Sequence, residues 1–242
     1  MIIKTKGIIF RSVKYRETSL ILEIYTREYG LRSYIINGVR KAKATTSAAL
    51  LQVMSLLDIV AYEQESRDIN RIKEVKPFYL YQNLLFDIRR SSVGMFMLEI
   101  ARKSIREKEP NPSLFDFLEE SFRLLDETKE SIVSFHISFL IHLSVRLGLQ
   151  PEFNFSEDRS YFDLREGVFV KNTPFHMDYL GKEESTKLNQ FMHHEMVDCH
   201  QIEIDKKTRL ELLSNLVKYF KIHLGDFGEI KSLEIFREIF KA

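Results

Sequence analysis

The chain has 242 residues, 44% hydrophobic and 29% charged, the balance of a packed globular protein and enough length for one large domain or two small ones. Its single cysteine, Cys199, excludes a disulfide-stapled fold. Net charge is only +1, yet the first 43 residues hold ten Lys and Arg against three acids, leaving −6 for the remainder. A basic end on a neutral chain suits a polyanion bound at that end, or simply a solvated β surface.

The first 77 residues alternate with a period of two. Gly7–Tyr15, Ser19–Thr26 and Leu31–Val39 read as strands, joined by turns at 16–18 and 27–30, with Gly30 available for positive φ. Leu56–Glu63 and Ile69–Val75 follow, and Pro77 is expected to close the run. Five short strands with a long connection between the third and fourth fit an OB-type barrel, and an SH3-like barrel fits nearly as well.

After Pro77 the period becomes helical. Helices are expected over 83–90, 92–108, 112–125 (opened by Asn111-Pro112), 131–147, 184–194, 206–223 (capped by Asp205) and 232–240. The 131–147 segment is apolar on nearly every face and belongs at the centre of a bundle. Its 15-residue uncharged stretch, Ser131–Val145, is short of the roughly 20 residues a bilayer span needs. A β-hairpin at about 160–170, turning at Arg165-Glu166-Gly167, interrupts the helices. The fold expected is therefore α+β in two parts: an N-terminal five-stranded OB-type barrel (1–77) and an α-helical domain with a small hairpin (78–242). With no apolar leader-like segment at the start, a cytoplasmic location is expected.

Catalytic signatures are missing: no phosphate-binding loop, no dinucleotide glycine pattern, no nucleophile elbow and no H-E-x-x-H. His193, His194, Cys199 and His200 lie close in sequence, but adjacent histidines on a helix face different ways and one cysteine makes no C-x-x-C. No enzyme activity, metal or cofactor is expected.

Arg40, Lys41 and Lys43 follow Asn37-Gly38, so they are expected to protrude from the barrel rim, where cations track phosphates without reading sequence. Lys14, Arg16, Arg27 and Arg32 interleave with Tyr15, Tyr25, Tyr29 and Tyr34, which offers stacking beside charge. The candidate DNA-binding residues are Lys14, Arg16, Arg32, Arg40, Lys41 and Lys43.

Several stretches resemble the RecO family of bacterial recombination mediators: Lys6–Thr18, Tyr25–Gly30, Asn37–Lys41, Leu50–Gln52, Leu85–Arg90 and Ile230–Phe240. The order and spacing of these segments carry the likeness, not any one motif. The resemblance implies an N-terminal OB domain and a helical domain. It also implies binding of single- and double-stranded DNA, annealing of complementary strands, and loading of RecA together with RecR on strands covered by single-stranded-DNA-binding protein. One departure is clear: many members carry a four-cysteine zinc module where this chain has 154–159 and the hairpin. The acidic, Phe-ended tail of single-stranded-DNA-binding proteins needs cations beside an apolar pocket, and Arg89, Arg90, Arg102, Lys103 and Arg106, flanking the apolar run 93–98, are the candidates. The cell location expected is then the nucleoid. The competing reading is an OB-fold protein-interaction or RNA-binding adaptor outside recombination.

Overall fold

In the computed structural model, which describes residues 1–39, 48–64, 67–105 and 109–240, five strands close a barrel in the order β1-β2-β3-β5-β4. They are β1 (Ile2–Tyr15), β2 (Ser19–Thr26), β3 (Gly30–Ile36), β4 (Leu56–Tyr62) and β5 (Ile69–Tyr79). All pairs are antiparallel except β3 with β5, and β1 pairs with both β2 and β4 to close the ring. This is the OB-type barrel rather than the SH3-like one. Its interior is filled by Ile3, Ile9, Leu22, Ile24, Leu57 and Ile59, among others. Gly7 lies where a Cβ would stand 2.6 Å from side-chain methyls of both Ile24 and Ile59, so a larger residue there would have to displace them. Gly30 takes φ +67° at the β2–β3 turn, the left-handed value that turn requires.

A bulge between Ile9 and Arg11 breaks the β1–β2 register and turns Phe10 outward, where it stacks on Tyr25 at 5.5 Å. Helix α2 (Pro112–Glu127) completes this cluster from above: Phe115 lies 6.2 Å from the Tyr25 ring. Tyr25 donates its hydroxyl to the Asn111 carbonyl at 3.3 Å, and burial pushes its pKa up to about 12. Two ion pairs add to the packing, Lys6–Glu119 at 3.3 Å and Arg27–Asp116 at 2.7 Å.

The chain divides into two compact units, Met1–Phe86 with Ile105–Asp126 and Asp87–Ser104 with Glu127–Ala242. The barrel unit thus takes in α2, a helix that a linear cut after Pro77 places with the second part. The second unit holds α1 (Ile88–Ser104), α3 (Phe135–Arg146), α4 (Lys182–Met192), α5 (Lys206–Leu224) and α6 (Ser232–Ile239). Its small sheet has the order β7-β6-β8, from β6 (Tyr161–Asp163), β7 (Val168–Val170) and β8 (Tyr179–Leu180). Helix α3 is buried along most of its length, as its all-round apolar pattern demands. Asp205 caps α5 by accepting the N–H of Lys207 and Thr208 at 2.8 and 3.1 Å. The β7 edge is occupied by Asn154, whose amide accepts from Phe169 N at 2.8 Å and donates to Phe169 O at 3.1 Å. That edge is closed to a further strand.

Two expected boundaries move. Pro77 does not end its strand: it pairs with Leu57 beside a bulge, and β5 runs on to Tyr79. The expected helix over 83–90 is a turn that passes into α1 only at Ile88.

Candidate nucleic-acid interface

An OB barrel presents its ligand face on the outer surfaces of β2 and β3, bounded by the β1–β2 and β4–β5 loops. Here the register builds that face from two outward rungs. The first runs Val13, Ile21, Ile35, Arg71 across four strands, and the second Arg11, Glu23, Ser33, Ile69. Neighbouring strands stand about 4.8 Å apart and successive outward rungs about 6.6 Å apart, so the centre is a partly exposed aliphatic strip. Arg11 and Arg71 are exposed cations on its flanks. Neither stands out in the charge pattern along the sequence. Arg71 reaches the face only through the parallel β3–β5 pairing, which no local pattern announces. Arg67, on the β4–β5 loop, is exposed as well.

Lys14 and Arg16 stand exposed at the β1–β2 turn. Arg16 adopts φ 52° and its guanidinium lies 5.2 Å from the Tyr15 ring centre. Arg32 is placed differently: its Nε is 3.5 Å from Glu63 Oε1 and its Nη1 donates to the Leu31 carbonyl at 3.0 Å. Much of its charge is answered inside the protein. Arg40, Lys41 and Lys43 lie outside the described residues; the chain on either side of them meets where Ala48 N–H donates to the Val39 carbonyl at 3.2 Å.

The tyrosines divide sharply. Tyr25 and Tyr34 are buried, Tyr29 packs against the barrel core, and Tyr15 is the exposed one of the four. Stacking by Tyr25 or Tyr34 is therefore ruled out, because their rings are core.

A groove of about 840 Å³ crosses the outer face of β1, β4 and β5, lined by Lys4, Lys6, Lys73 and Lys76 with Glu28, Asp58 and Glu74. Its lysines are largely answered in place. Lys76 pairs with Asp58 at 3.6 Å, Lys73 with Glu74 at 3.3 Å, and Lys6 with Glu119 at 3.3 Å while lying 4.4 Å over Phe78.

In the helical unit the candidate partner-binding cations do not gather. Arg89 and Arg90 open α1, where Asp87 Oδ1 accepts both their N–H groups at 2.8 and 2.9 Å. Arg90 also donates to the Thr128 carbonyl at 2.7 Å. Arg102 and Lys103 close the same helix, about 20 Å away at 1.5 Å per residue. Lys103 is held by the Glu229 carbonyl and by Glu99 at 3.4 Å. Arg106 lies outside the described residues. The apolar run between them is core: Val93, Phe96, Met97 and Leu98 are buried, and only Met95 is exposed. It does not form the pocket that the sequence suggested.

His193, His194, Cys199 and His200 form no metal-holding group among the described residues. His193 and His194 turn their Nδ1 atoms to backbone carbonyls of their own helix, at 2.8 Å each, and burial pushes the Cys199 thiol up to about 11. No helix among the described residues is long and apolar enough to cross a membrane.

Comparison with known proteins finds matches along both halves of the chain. The family model "Recombination protein O N terminal" matches residues 1–81, and "Recombination protein O C terminal" matches residues 85–234. The DNA repair protein RecO of Phocaeicola vulgatus is 34% identical over 240 residues, covering 99% of this chain and 100% of the relative. That of Christiangramia forsetii is 35% identical over 241 residues, with the same coverage. With both halves matched and relatives above 30% identity along their full length, the chain belongs to the RecO family of recombination proteins.

Proposed function

We propose that the chain is a DNA repair and recombination mediator with no catalytic step of its own. Its barrel domain (1–77) binds single- and double-stranded DNA through phosphates, and its helical domain (78–242) docks protein partners. It anneals complementary strands. With RecR it helps load RecA onto strands covered by single-stranded-DNA-binding protein, whose acidic tail is one of its ligands. It works in the cytoplasm, at the nucleoid. The observation that carries this reading is the OB ligand face with exposed Arg11, Lys14, Arg16 and Arg71 around it, extended in sequence by Arg40, Lys41 and Lys43.

The test is oligonucleotide binding across a salt series, together with annealing of complementary strands. Binding is expected for unrelated sequences alike, and neutralising Arg40, Lys41 and Lys43 together is expected to flatten the log–log salt dependence by roughly 0.7 per lost contact on single strands. Binding that is indifferent to salt, or absent annealing, overturns the reading. The aliphatic Val13–Ile21–Ile35 strip favours a second reading, an OB-fold adaptor whose face meets protein; such a chain binds no oligonucleotide and anneals nothing.

A further inference from the structure

Among the described residues of the five barrel strands, Tyr15 and Tyr62 are the exposed aromatics, at 37% and 43%. Both lie on the outer face bounded by the β1–β2 and β4–β5 loops. Tyr15 is two residues beyond Val13 on β1, and a strand returns to the same face at every second residue. Tyr62 ends β4 as the pairing partner of Arg71, so it continues the Val13–Ile21–Ile35–Arg71 rung by one more strand. The next pair along, Ala61 and Ile72, is buried, as the alternation requires. Counted through β2, β3 and β5, the two tyrosines stand at opposite ends of the aliphatic strip, about 19 Å apart along the sheet.

Each ring has a cation beside it. The Arg16 guanidinium lies 5.2 Å over the Tyr15 ring centre, on a backbone at φ 52°, a left-handed conformation that few side chains adopt. Arg71 faces Tyr62 across the strand pair, where directly opposed Cβ atoms are about 4.5–5.5 Å apart. Residues 11–23 hold three cations (Arg11, Lys14, Arg16) and two acids (Glu17, Glu23), and Arg71 adds a fourth cation from β5.

We propose that Tyr15 and Tyr62 are stacking platforms for unpaired bases of a single strand that crosses this face, its phosphates held by the cations beside them. The inference deepens the DNA-binding reading and rests on it. Every base has a π-face to offer an aromatic ring, but inside a duplex that face is already taken by the neighbouring pairs. Phosphate contacts carry no information about the bases, so the two rings are what makes the face favour single strands over paired ones. A protein is the poorer occupant: the excess of cations suits a polyanion, and two rings separated by the width of the sheet make no single buried anchor.

The full-length chain and its Tyr15→Ala, Tyr62→Ala, Tyr15→Phe and Tyr62→Phe variants are titrated with three probes of equal length: oligothymidylate, a strand of abasic sites with the same phosphates, and a duplex. Each alanine variant is expected to lose about fivefold or more on oligothymidylate, the low end for one base–aromatic stack. Its affinity for the abasic strand and the duplex, its log–log salt slope and its thermal midpoint are expected to stay as they are. Each phenylalanine variant is expected to bind all three probes like the wild type. The abasic strand controls for misfolding, which weakens binding to every probe alike. Wild-type affinity of the alanine variants for oligothymidylate overturns the platforms and leaves the rings to a protein partner, and an equal loss on all three probes overturns them too. A wild-type chain that binds the abasic strand as tightly as oligothymidylate overturns the platforms and spares the DNA-binding reading. A wild-type chain that binds none of the probes overturns both.

Discussion

The Arg27 guanidinium meets the Asp116 carboxylate in two parallel hydrogen bonds, Nε to Oδ1 at 2.7 Å and Nη2 to Oδ2 at 2.8 Å. The pair lowers the Asp116 pKa and raises that of Arg27, and with Lys6–Glu119 it places acids of α2 directly against the basic barrel. Part of the positive charge read in the first 43 residues is therefore cancelled locally. Asp116→Asn with Glu119→Gln is expected to lower stability by less than about 2 kcal/mol, since partly exposed pairs are worth little. It is also expected to tighten oligonucleotide binding at low salt by releasing two cations. A urea titration and a binding isotherm on the same preparation check both effects.

Asp126 gathers the chain that links the two family segments. Its carboxylate accepts the N–H of Gln82, Asn83 and Leu84 at 2.6–3.1 Å and the Tyr79 hydroxyl at 2.9 Å. Burial raises its pKa, but the hydrogen bonds from Gln82, Leu84, Asn83 and Tyr79 outweigh it, and the net shift is downward. A depressed carboxylate contributes stability that is present above its unfolded value near 3.9 and is lost as pH falls through its folded value. Asp126→Asn keeps one acceptor oxygen and turns an amide donor toward N–H groups. A loss of about 2–3 kcal/mol at neutral pH is expected, with a shallower acid limb in urea midpoints measured from pH 5 to 2.

That turn also explains where the sequence misleads. Residues 83–90 have helical spacing, but Asp126, some 40 positions away, claims the N–H groups a first helical turn leaves open, and Asp87 then caps a helix starting at Ile88. A local period cannot report a partner from another element. Pro77 misleads for a related reason: the bulge beside Leu57 makes a missing N–H tolerable. By contrast Ser19–Thr26, the Gly30 turn and the Asp205 cap are local matters, and the observed bounds agree with the sequence. The candidate face is legible only in part. Lys14 and Arg16 follow from their turn, whereas Arg71 needs the parallel pairing, and the burial of Tyr25 under α2 needs the bulge at Phe10.

His136 sits fully buried on α3 with neither ring nitrogen hydrogen-bonded, beside Phe96, Phe236 and Phe240. Burial first, and then the charge of Arg209, lowers its pKa to about 3. Below the unfolded value near 6.5 the unfolded chain takes up a proton that the folded one refuses, so stability falls as pH drops from 6.5 toward 3. At pH 5 that loss is about 2 kcal/mol. His136→Phe is expected to remove this dependence and to raise stability at pH 5, read as the difference between wild-type and variant urea midpoints at pH 5 and 7.5.

On the candidate face, Arg11→Ala and Arg71→Ala are each expected to flatten the single-strand salt slope by roughly 0.7, while Arg32→Ala changes it less, because Glu63 already holds that guanidinium. Equal slopes for all three variants mean that the strand does not follow the β2–β3 face.

The separation of cations along α1 sharpens the expectation for an acidic, Phe-ended peptide. One such peptide cannot use Arg89 and Arg102 together at one terminal carboxylate, since about 20 Å of helix lies between them. Lys103 is an unsuitable contact, because its ammonium already serves the Glu229 carbonyl and Glu99. Glu99 in turn accepts the N–H of Lys231 and Ser232 at 3.1 and 2.8 Å, at the start of α6. Lys103→Glu is therefore expected to loosen α6 and lower stability, whatever the peptide does. Arg90→Glu likewise removes the bond to Thr128. Arg89 is the exposed cation of the first pair, and Arg102 is the better test at the far end. Fluorescence titration of the tail peptide against Arg89→Glu and Arg102→Glu is expected to show a loss of about three- to tenfold for one variant only, roughly 0.7–1.4 kcal/mol, the size of a charge-assisted contact at a partly exposed site. Unchanged thermal midpoints assign that loss to the contact. Equal losses in both, vanishing in high salt and indifferent to removal of the terminal Phe, leave only a diffuse attraction between the peptide and the helical unit.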